Sequence, residues 1–189
     1  MDASRNVQCP LPGGAEACFR RATVADVGAA WAIVRAARDG MLRAGQRQWT
    51  AAYPARADVE ADVRAGRACV AESGGRVVAY GAVALGGEPA YDGLEGQWGT
   101  EGSYVVVHRL CVAPWARRSG WALRFLHEAE AFGRRAGATA LRIDTNFDNA
   151  PMLALLRRAG YAFRGKVRYG RGERLAFDKP LAPLPPAGR

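Results

Sequence analysis

The sequence has few of the residues that build metal sites or disulfide frameworks. It contains two histidines, His108 and His127, and neither stands at ligand spacing from a cysteine, which argues against a zinc site. The four cysteines show neither C-x-x-C spacing nor a paired arrangement. We therefore expect no bound metal, no disulfide framework and a reducing, cytoplasmic setting.

Long hydrophobic runs are also absent. The longest apolar stretches, such as residues 77–85, are less than half as long as a membrane-spanning helix requires. Met1 is not followed by the charged-then-apolar pattern of a secretory leader. These two features predict that no membrane partner is involved.

Lysine is nearly missing, although the chain is strongly basic. Only Lys166 and Lys179 are lysines, so arginine supplies most of the positive charge, and the formal net charge is +9. The arginines are scattered, and no Lys/Arg block interleaved with aromatic residues follows the pattern of a nucleic-acid surface. Nucleic acid is therefore the less favoured partner, and a basic surface instead suits an anionic, phosphorylated cofactor.

What is present is the composition of a globular domain. Hydrophobic residues make up 49% and charged residues 24% of the 189 residues, close to the average for folded domains. Prolines and glycines without periodicity mark both ends of the chain. We expect one domain at residues 20–181, between a flexible N-terminal segment at residues 1–19 and a proline-rich tail at residues 182–189.

Strand-like and helix-like segments alternate along this domain. Thr23, with Asp26 three residues later, predicts the start of a helix, and Asn149 predicts the cap of another. The predicted helices cover residues 23–40, 57–65, 119–137 and 149–160. The predicted strands cover residues 20–21, 68–72, 76–85, 104–112, 140–144, 161–167 and 174–178. This order predicts a mixed α/β sheet with helices on both of its faces.

The junction at residues 112–122 carries the clearest chemical pattern. A β-branched strand breaks at Pro114, and a helix follows with Gly120 in the turn before it. A helix N-terminus points unpaired N–H groups and positive potential at one spot, and Arg117 and Arg118 add charge-assisted donors. The pattern predicts a pyrophosphate cradle, although an ordinary strand-to-helix turn has the same outline.

Two segments of the chain resemble known motifs. Leu110-Cys111-Val112-Ala113-Pro114 followed by Arg117-x-x-Gly120-x-Ala122 resembles the Q/R-x-x-G-x-G/A motif of the GNAT superfamily, whose members are acyl-CoA-dependent N-acyltransferases. Asn149 and residues 155–161 are similar to that family's N-x-x-A-x-x-L-Y-x-x-x-G-F/Y segment. The likeness covers about the whole predicted domain.

The resemblance implies a fold and an activity. The fold would be a mixed, mostly antiparallel twisted sheet of about six to seven strands, flanked by about four helices and splayed between the fourth and fifth strands. The activity would be direct transfer of an acetyl group from acetyl-CoA, as co-substrate, to a primary amine of a small molecule, peptide or protein. The acceptor and the oligomeric state, a homodimer included, stay open.

The resemblance also assigns binding residues. The residues that would hold acetyl-CoA are Leu110, Cys111, Val112, Arg117, Arg118, Ser119, Gly120, Trp121, Ala122 and Asn149. Trp49, Tyr53 and Trp98 would line the amine pocket, although packing alone accounts for each of them. Leu156 stands where the family commonly has a tyrosine that reprotonates the leaving thiolate. This departure also leaves open a non-catalytic module that senses acyl-CoA.

Two residues are candidates for the base that a protonated amine requires. Strand alternation places His108 on the same face as Tyr104 and Val112, and imidazole changes charge near neutral pH. His108 is therefore predicted to act as the base or to bind the substrate. Asp144, at the end of the neighbouring strand, is the second candidate. A hydrogen-bonded core histidine and a carboxylate paired with an arginine are the alternatives to these roles. The same alternation places Cys111 opposite His108, which argues against a cysteine–histidine nucleophile pair.

Overall fold

The computed structural model describes residues 7–10, 16–170 and 172–182. Within these residues the strands are β1 (Val7–Pro10), β2 (Glu16–Arg21), β3 (Ala68–Ser73), β4 (Arg76–Leu85), β5 (Glu95–Gly96), β6 (Tyr104–Val112), β7 (Ala140–Thr145), β8 (Ala162–Tyr169) and β9 (Gly172–Pro180). The helices are α1 (Val27–Arg43), α2 (Arg56–Arg64), α3 (Trp121–Arg135) and α4 (Ala150–Arg158). The strands hydrogen-bond in the order β1-β2-β3-β4-β6-β7-β9-β8-β5.

The predicted fold class is confirmed, and the strand count is higher than expected. In the described part of the chain, four helices accompany a mixed, mostly antiparallel sheet of nine strands rather than six to seven. The additional strands are β1, inside the segment predicted to be flexible, and β5, which is two residues long. Such short strands depend on pairing with a neighbour, which the local sequence does not reveal. Residues 1–6, 11–15 and 183–189 of the predicted end segments lie outside the described residues.

The chain divides into two compact units. The first combines Met1–Ala82 with Arg109–Phe125, and the second combines Val83–His108 with Leu126–Arg189. Each unit encloses fully buried apolar side chains of its own, among them Val34 and Val70 in the first and Leu141 and Leu156 in the second. Burial of these side chains is the main favourable contribution to folding in each unit.

The first unit contains the antiparallel strands β1, β2 and β3, and β4 as far as Ala82. Helix α1 packs against α2 and buries four residues at helical spacing, Val27, Ala30, Ile33 and Val34. The helix start is fixed because the N–H and hydroxyl of Thr23 both donate to Asp26 Oδ2, at 2.7 and 3.0 Å. Arg20 of β2 binds the same carboxylate at 2.7 Å and lowers the pKa of Asp26 to about 2. The predicted helix start is therefore confirmed.

In the second unit, β7 pairs parallel with β6 and antiparallel with β9. The parallel ladder joins residues 104–106 to residues 140–142, whereas pairing with β9 continues along β7 as far as Thr145. The ladder to β6 therefore ends before β7 does, at the point where a splay is predicted.

Close packing and a buried ion pair support the strands of the second unit. An added Cβ on Gly133 of α3 would lie 2.9 Å from Val105 Cγ2, so only glycine permits this approach of helix to strand. Glu130 is 2% exposed and accepts hydrogen bonds from Lys179 Nζ at 2.9 and 3.0 Å and from the Tyr161 hydroxyl at 3.1 Å. A buried carboxylate persists in such a place because it is paired and hydrogen-bonded.

Candidate active site

The turn after β6 belongs to the first unit and leads directly into α3. A 3₁₀ turn at Pro114–Ala116 comes first, and Arg118 and Gly120 then adopt positive φ angles of 64° and 84°. The Ser119 hydroxyl donates to the carbonyl of Ala116 at 2.6 Å and closes the turn. The predicted sequence of strand, turn and helix is therefore present.

This turn fits a diphosphate. The N–H of Arg124 donates to the carbonyl of Gly120 at 3.0 Å, so α3 begins at Trp121 and its first N–H groups have no intrahelical acceptor. An added Cβ on Gly120 meets no atom within 4 Å, so the space beside the turn is open. Arg117 and Arg118 are exposed. Free donors, a helix dipole and positive charge are the features that bind phosphate at helix N-termini.

Trp121 and Ala122 differ from the exposed residues of the turn. The Trp121 side chain is 9% exposed, and Ala122 is half-buried. The guanidinium of Arg124 lies 5.5 Å from the Trp121 ring centroid. The indole therefore contributes to packing, and the predicted contact of Trp121 with a phosphate depends on its backbone N–H.

The strand that precedes this turn contains an irregular residue. Arg109 has a φ of 54°, in the left-handed region, whereas strand alternation requires an extended backbone. The predicted alternation of Tyr104 through Val112 on one face is therefore interrupted at Arg109, and it does not establish that Cys111 lies opposite His108. The conclusion that Cys111 and His108 are not a nucleophile pair holds for another reason. Burial raises the pKa of the Cys111 thiol to about 12, so the thiol stays protonated and is a poor nucleophile.

The Arg109 side chain forms a buried network in the first unit. Its guanidinium donates to both carboxylate oxygens of Asp62 at 2.7 to 3.1 Å and to the Tyr53 hydroxyl at 3.0 Å. The Tyr80 hydroxyl donates to Asp62 at 2.6 Å, and Asp62 is 1% exposed. Burial lowers the pKa of Arg109, but the attraction and hydrogen bonds of Asp62 and Tyr53 together outweigh burial and raise it. The guanidinium is therefore a permanent counter-charge for the buried carboxylate.

In the second unit, His108 pairs with Glu88, which lies in the loop after β4. His108 Nε2 lies 3.1 Å from Glu88 Oε2, and the two side chains are 27% and 16% exposed. The hydrogen bond from His108 lowers the pKa of Glu88, so Glu88 remains a carboxylate at neutral pH. When Nε2 donates to Glu88, Nδ1 is the ring nitrogen that accepts a proton.

Asp144 is held by three neighbours in the same unit. The hydroxyls of Tyr91 and Tyr169 each donate to its Oδ1 at 3.0 Å, and Arg174 Nη1 lies 3.6 Å from its Oδ2. Burial, together with the nearby carboxylate, raises the pKa of both tyrosines, so their hydroxyls stay protonated. The Asp144 side chain is 4% exposed. This geometry suits an anchoring carboxylate paired with arginine better than a proton acceptor.

The three aromatic residues expected around the amine fall in different units. Trp49 is 7% exposed in the first unit, where Tyr53 accepts the hydrogen bond from Arg109. Trp98 belongs to the second unit, where its Nε1 donates to the carbonyl of Tyr91 at 3.3 Å. Each residue has a packing or hydrogen-bonding role, so their contact with an amine stays a prediction.

Helix α4 carries the second predicted motif. Asn149 Oδ1 accepts a hydrogen bond from the N–H of Met152 at 3.3 Å, which confirms the predicted cap and leaves its contact with CoA a prediction. Leu156 is fully buried and has no proton to donate. No group of three or more histidine, cysteine, aspartate or glutamate residues in the described ranges is arranged to hold a metal ion. Likewise, none of the helices described is long and apolar enough to cross a membrane.

Sequence reasoning missed three of these polar residues, namely Glu88, Asp62 and Arg109. Asp62 follows the buried Val59 by three residues in α2, and a carboxylate on the buried face of a helix is a sign of a specific partner. Glu88 precedes Pro89, and its side chain accepts from the N–H of Ala90 at 3.2 Å, which is a recognisable capping position. Arg109 has no such local sign, because its neighbours all favour extended backbone.

A mixed sheet and a helix N-terminus with free N–H groups are features of α/β proteins that bind phosphorylated cofactors. The chain belongs to the GNAT acetyltransferase family, whose model matches residues 34–161. It is therefore an acyltransferase, and its co-substrate is acetyl-CoA.

Relatives agree with this assignment. The IAA acetyltransferase of Azospirillum brasilense is 36% identical over 117 residues, which are 61% of this chain and 68% of that protein. The crystal structure of a GNAT-family acetyltransferase from Streptococcus agalactiae has a TM-score of 0.79 and 30% identity, and the match covers 87% of this chain and 95% of that one. The Salmonella typhimurium protein yncA, determined with its cofactor acetyl-CoA, has the same fold at a TM-score of 0.62 and 19% identity, over 88% of this chain and 94% of that one.

Proposed function

We propose that this acetyltransferase passes the acetyl group directly to a primary amine, with His108 as the general base. The observation that carries the proposal is the His108–Glu88 pair, in which Glu88 holds one ring nitrogen and leaves Nδ1 to accept a proton. Acetyl-CoA supplies the activated thioester. An alkyl ammonium with a pKa of about 10.4 is mostly protonated at neutral pH, so a positioned base is useful.

The binding of acetyl-CoA is assigned to the first-unit turn and to the end of β6. Residues 117–122 bind the diphosphate through backbone N–H groups and the guanidinium groups of Arg117 and Arg118. The backbone of residues 110–112 binds the pantetheine arm as a further strand would, and Asn149 adds a hydrogen bond to it. The open space beside Gly120 supports the first part of this assignment.

Proton transfer is assigned to the second unit. His108 Nδ1 takes the proton from the amine, and the carboxylate of Glu88 stabilises the imidazolium that forms. Asp144, in contrast, anchors Tyr91 and Tyr169. Neither Leu156 nor these engaged tyrosines supply a proton to the leaving thiolate, so water fills that role.

The acceptor is proposed only by chemical class, as a primary amine on a small molecule, peptide or protein. Trp49, Tyr53 and Trp98 are proposed to contact it. We also propose that residues 20–181 form the acetyltransferase domain. A cytoplasmic setting is part of the same proposal.

Release of free thiol from acetyl-CoA in the presence of an amine panel tests the proposal. IAA, the compound in the name of the Azospirillum brasilense relative, is assayed separately beside that panel. We expect His108→Ala to lower kcat/KM by about 10²- to 10⁴-fold and to remove the acid limb of the pH–rate profile. Glu88→Gln should cause a smaller loss of kcat/KM, because the imidazolium that forms loses its counter-charge.

The other histidine provides the matched control. His127 is exposed on α3, and His127→Ala should leave both the rate and the acid limb unchanged. An unchanged rate and acid limb in His108→Ala would remove His108 from the mechanism. Tight CoA binding without any acceptor-dependent thiol release would instead favour a module that senses acyl-CoA.

A further inference from the structure

A left-handed residue interrupts β6 in the first unit. Arg109 has a φ of 54°, and a residue with a Cβ adopts this conformation only when its surroundings hold it there. One such residue in a strand changes the direction of the groups that follow it. In β6 the residues that follow are 110–112, whose backbone the proposed function places along the pantetheine arm.

The Arg109 side chain is committed to its neighbours in the same unit. Nε and Nη2 donate to Asp62 of α2, and Nη1 donates to Tyr53. Asp62 also accepts from Tyr80 of β4. Because each guanidinium nitrogen already has an acceptor, the side chain is suited to holding the backbone rather than to contacting a substrate.

Burial makes this arrangement resistant to change. Asp62 is 1% exposed, so a movement of Arg109 away from it would leave a buried carboxylate without its main counter-charge. Arg67 lies near the same carboxylate, but its Nη2 is 3.5 Å away and its side chain is 49% exposed. A change of the backbone at Arg109 that moved its guanidinium away from Asp62 would therefore be unfavourable.

We propose that Asp62 and Tyr53 clamp Arg109 in its left-handed conformation and thereby aim the backbone of residues 110–112 at the acyl end of acetyl-CoA. These three side chains, Arg109, Asp62 and Tyr53, are the Arg109 clamp. Arg109 is a positioning residue, and its role rests on the proposed function. The clamp acts on alignment of the thioester, whereas residues 117–122 set the affinity for the diphosphate.

Two double variants separate the backbone from the side chain. Arg109→Gly with Asp62→Asn and Arg109→Ala with Asp62→Asn both remove the charge pair, so neither buries an unpaired carboxylate. Glycine adopts a φ of 54° without strain, and alanine does not. We expect both variants to lower kcat, the glycine variant by about threefold and the alanine variant by about tenfold or more. The Kd for CoA, measured by calorimetry, should stay within about threefold in both.

Arg67→Ala is the matched control, because it removes a neighbour of Asp62 without altering β6, and it should keep native kcat. Hydrogen exchange at the amides of residues 110–112 gives a readout that needs no acceptor. Acetyl-CoA should slow this exchange in the native chain and in the glycine variant, and less so in the alanine variant.

Two outcomes would overturn the clamp. Equal loss of kcat and of protection in both double variants would show that the left-handed φ of Arg109 plays no part in the positioning, and native behaviour in both would show that no positioning takes place. Failure to find an acceptor would contradict the proposed function alone. Hydrogen exchange at residues 110–112 would still test the clamp, because it requires acetyl-CoA but no acceptor.

Discussion

Gly120 and Gly137 share a left-handed conformation, with φ angles of 84° and 73° on either side of α3. An added Cβ on either glycine meets no atom within 4 Å, so alanine at either position introduces backbone strain alone, roughly 1–2 kcal/mol. We expect Gly120→Ala and Gly137→Ala to lose similar free energy of unfolding in urea. Only Gly120→Ala should weaken CoA binding in calorimetry, by about tenfold or more, because its methyl group enters the space beside the turn. Equal CoA affinity in the two variants would place the diphosphate elsewhere.

At single residues, the sequence predicts the candidate side chains but not the partners that hold them. The sequence identifies His108 and Asp144 as candidates, because histidine and aspartate next to a predicted cofactor strand suit acid–base chemistry. It does not show that Glu88 pairs with His108. Nor does it show that Tyr91 and Tyr169 hold Asp144, since these partners come from other parts of the chain. Their contacts depend on tertiary packing, which local spacing does not encode.

At the scale of helices and strands, the sequence predicted an element wherever it carries a capping residue or a β-branched run. The caps at Thr23 and Asn149 and the β-branched run of β6 predicted elements that the structure contains. The reading failed for β1 and β5, whose few residues become strands only through pairing. It also failed at Arg109, where a network of side chains overrides the extended preference of the surrounding residues.

The Arg20–Asp26 ion pair, which links β2 to the start of α1, makes the free energy of unfolding depend on pH. Arg20 lowers the pKa of Asp26 to about 2, below the value of about 3.9 for an unfolded aspartate. A carboxyl with a lowered pKa stabilises the fold above about pH 4, and this contribution is lost as the pH falls towards 2. We expect Asp26→Asn to lower the free energy of unfolding by roughly 1–2 kcal/mol at pH 7. The difference from the native chain should shrink between pH 4 and pH 2 in urea melts.

Asp39 supplies the comparison for this experiment. It pairs with Arg38 at 3.2 Å, but its side chain is 41% exposed, and such surface pairs contribute little. Asp39→Asn should therefore change stability by less than about 0.5 kcal/mol at any of these pH values. A destabilisation by Asp26→Asn that stayed constant down to pH 2 would contradict the role of the Arg20 ion pair.

At the scale of the whole molecule, saturation with CoA should raise the melting temperature. A ligand at about 100 times its Kd adds about 2.7 kcal/mol of stability, which corresponds to roughly 5–10 °C for a chain of this size. Differential scanning calorimetry measures the shift, and duplex DNA at the same phosphate concentration and 0.15 M salt should cause none. A shift with DNA and not with CoA would restore the nucleic-acid interpretation of the +9 charge.

The chain has only two lysines whose side-chain amines could themselves accept an acetyl group. Lys179 is bound to Glu130 in the second unit, and Lys166 is half-exposed and bound to Glu173 at 3.1 Å. An ammonium is not a nucleophile, because its lone pair is occupied by a proton, and each of these ammonium groups is also engaged by a carboxylate. By carrying its positive charge on guanidinium groups, the chain offers few side chains for self-acetylation while keeping the field that attracts a polyanion.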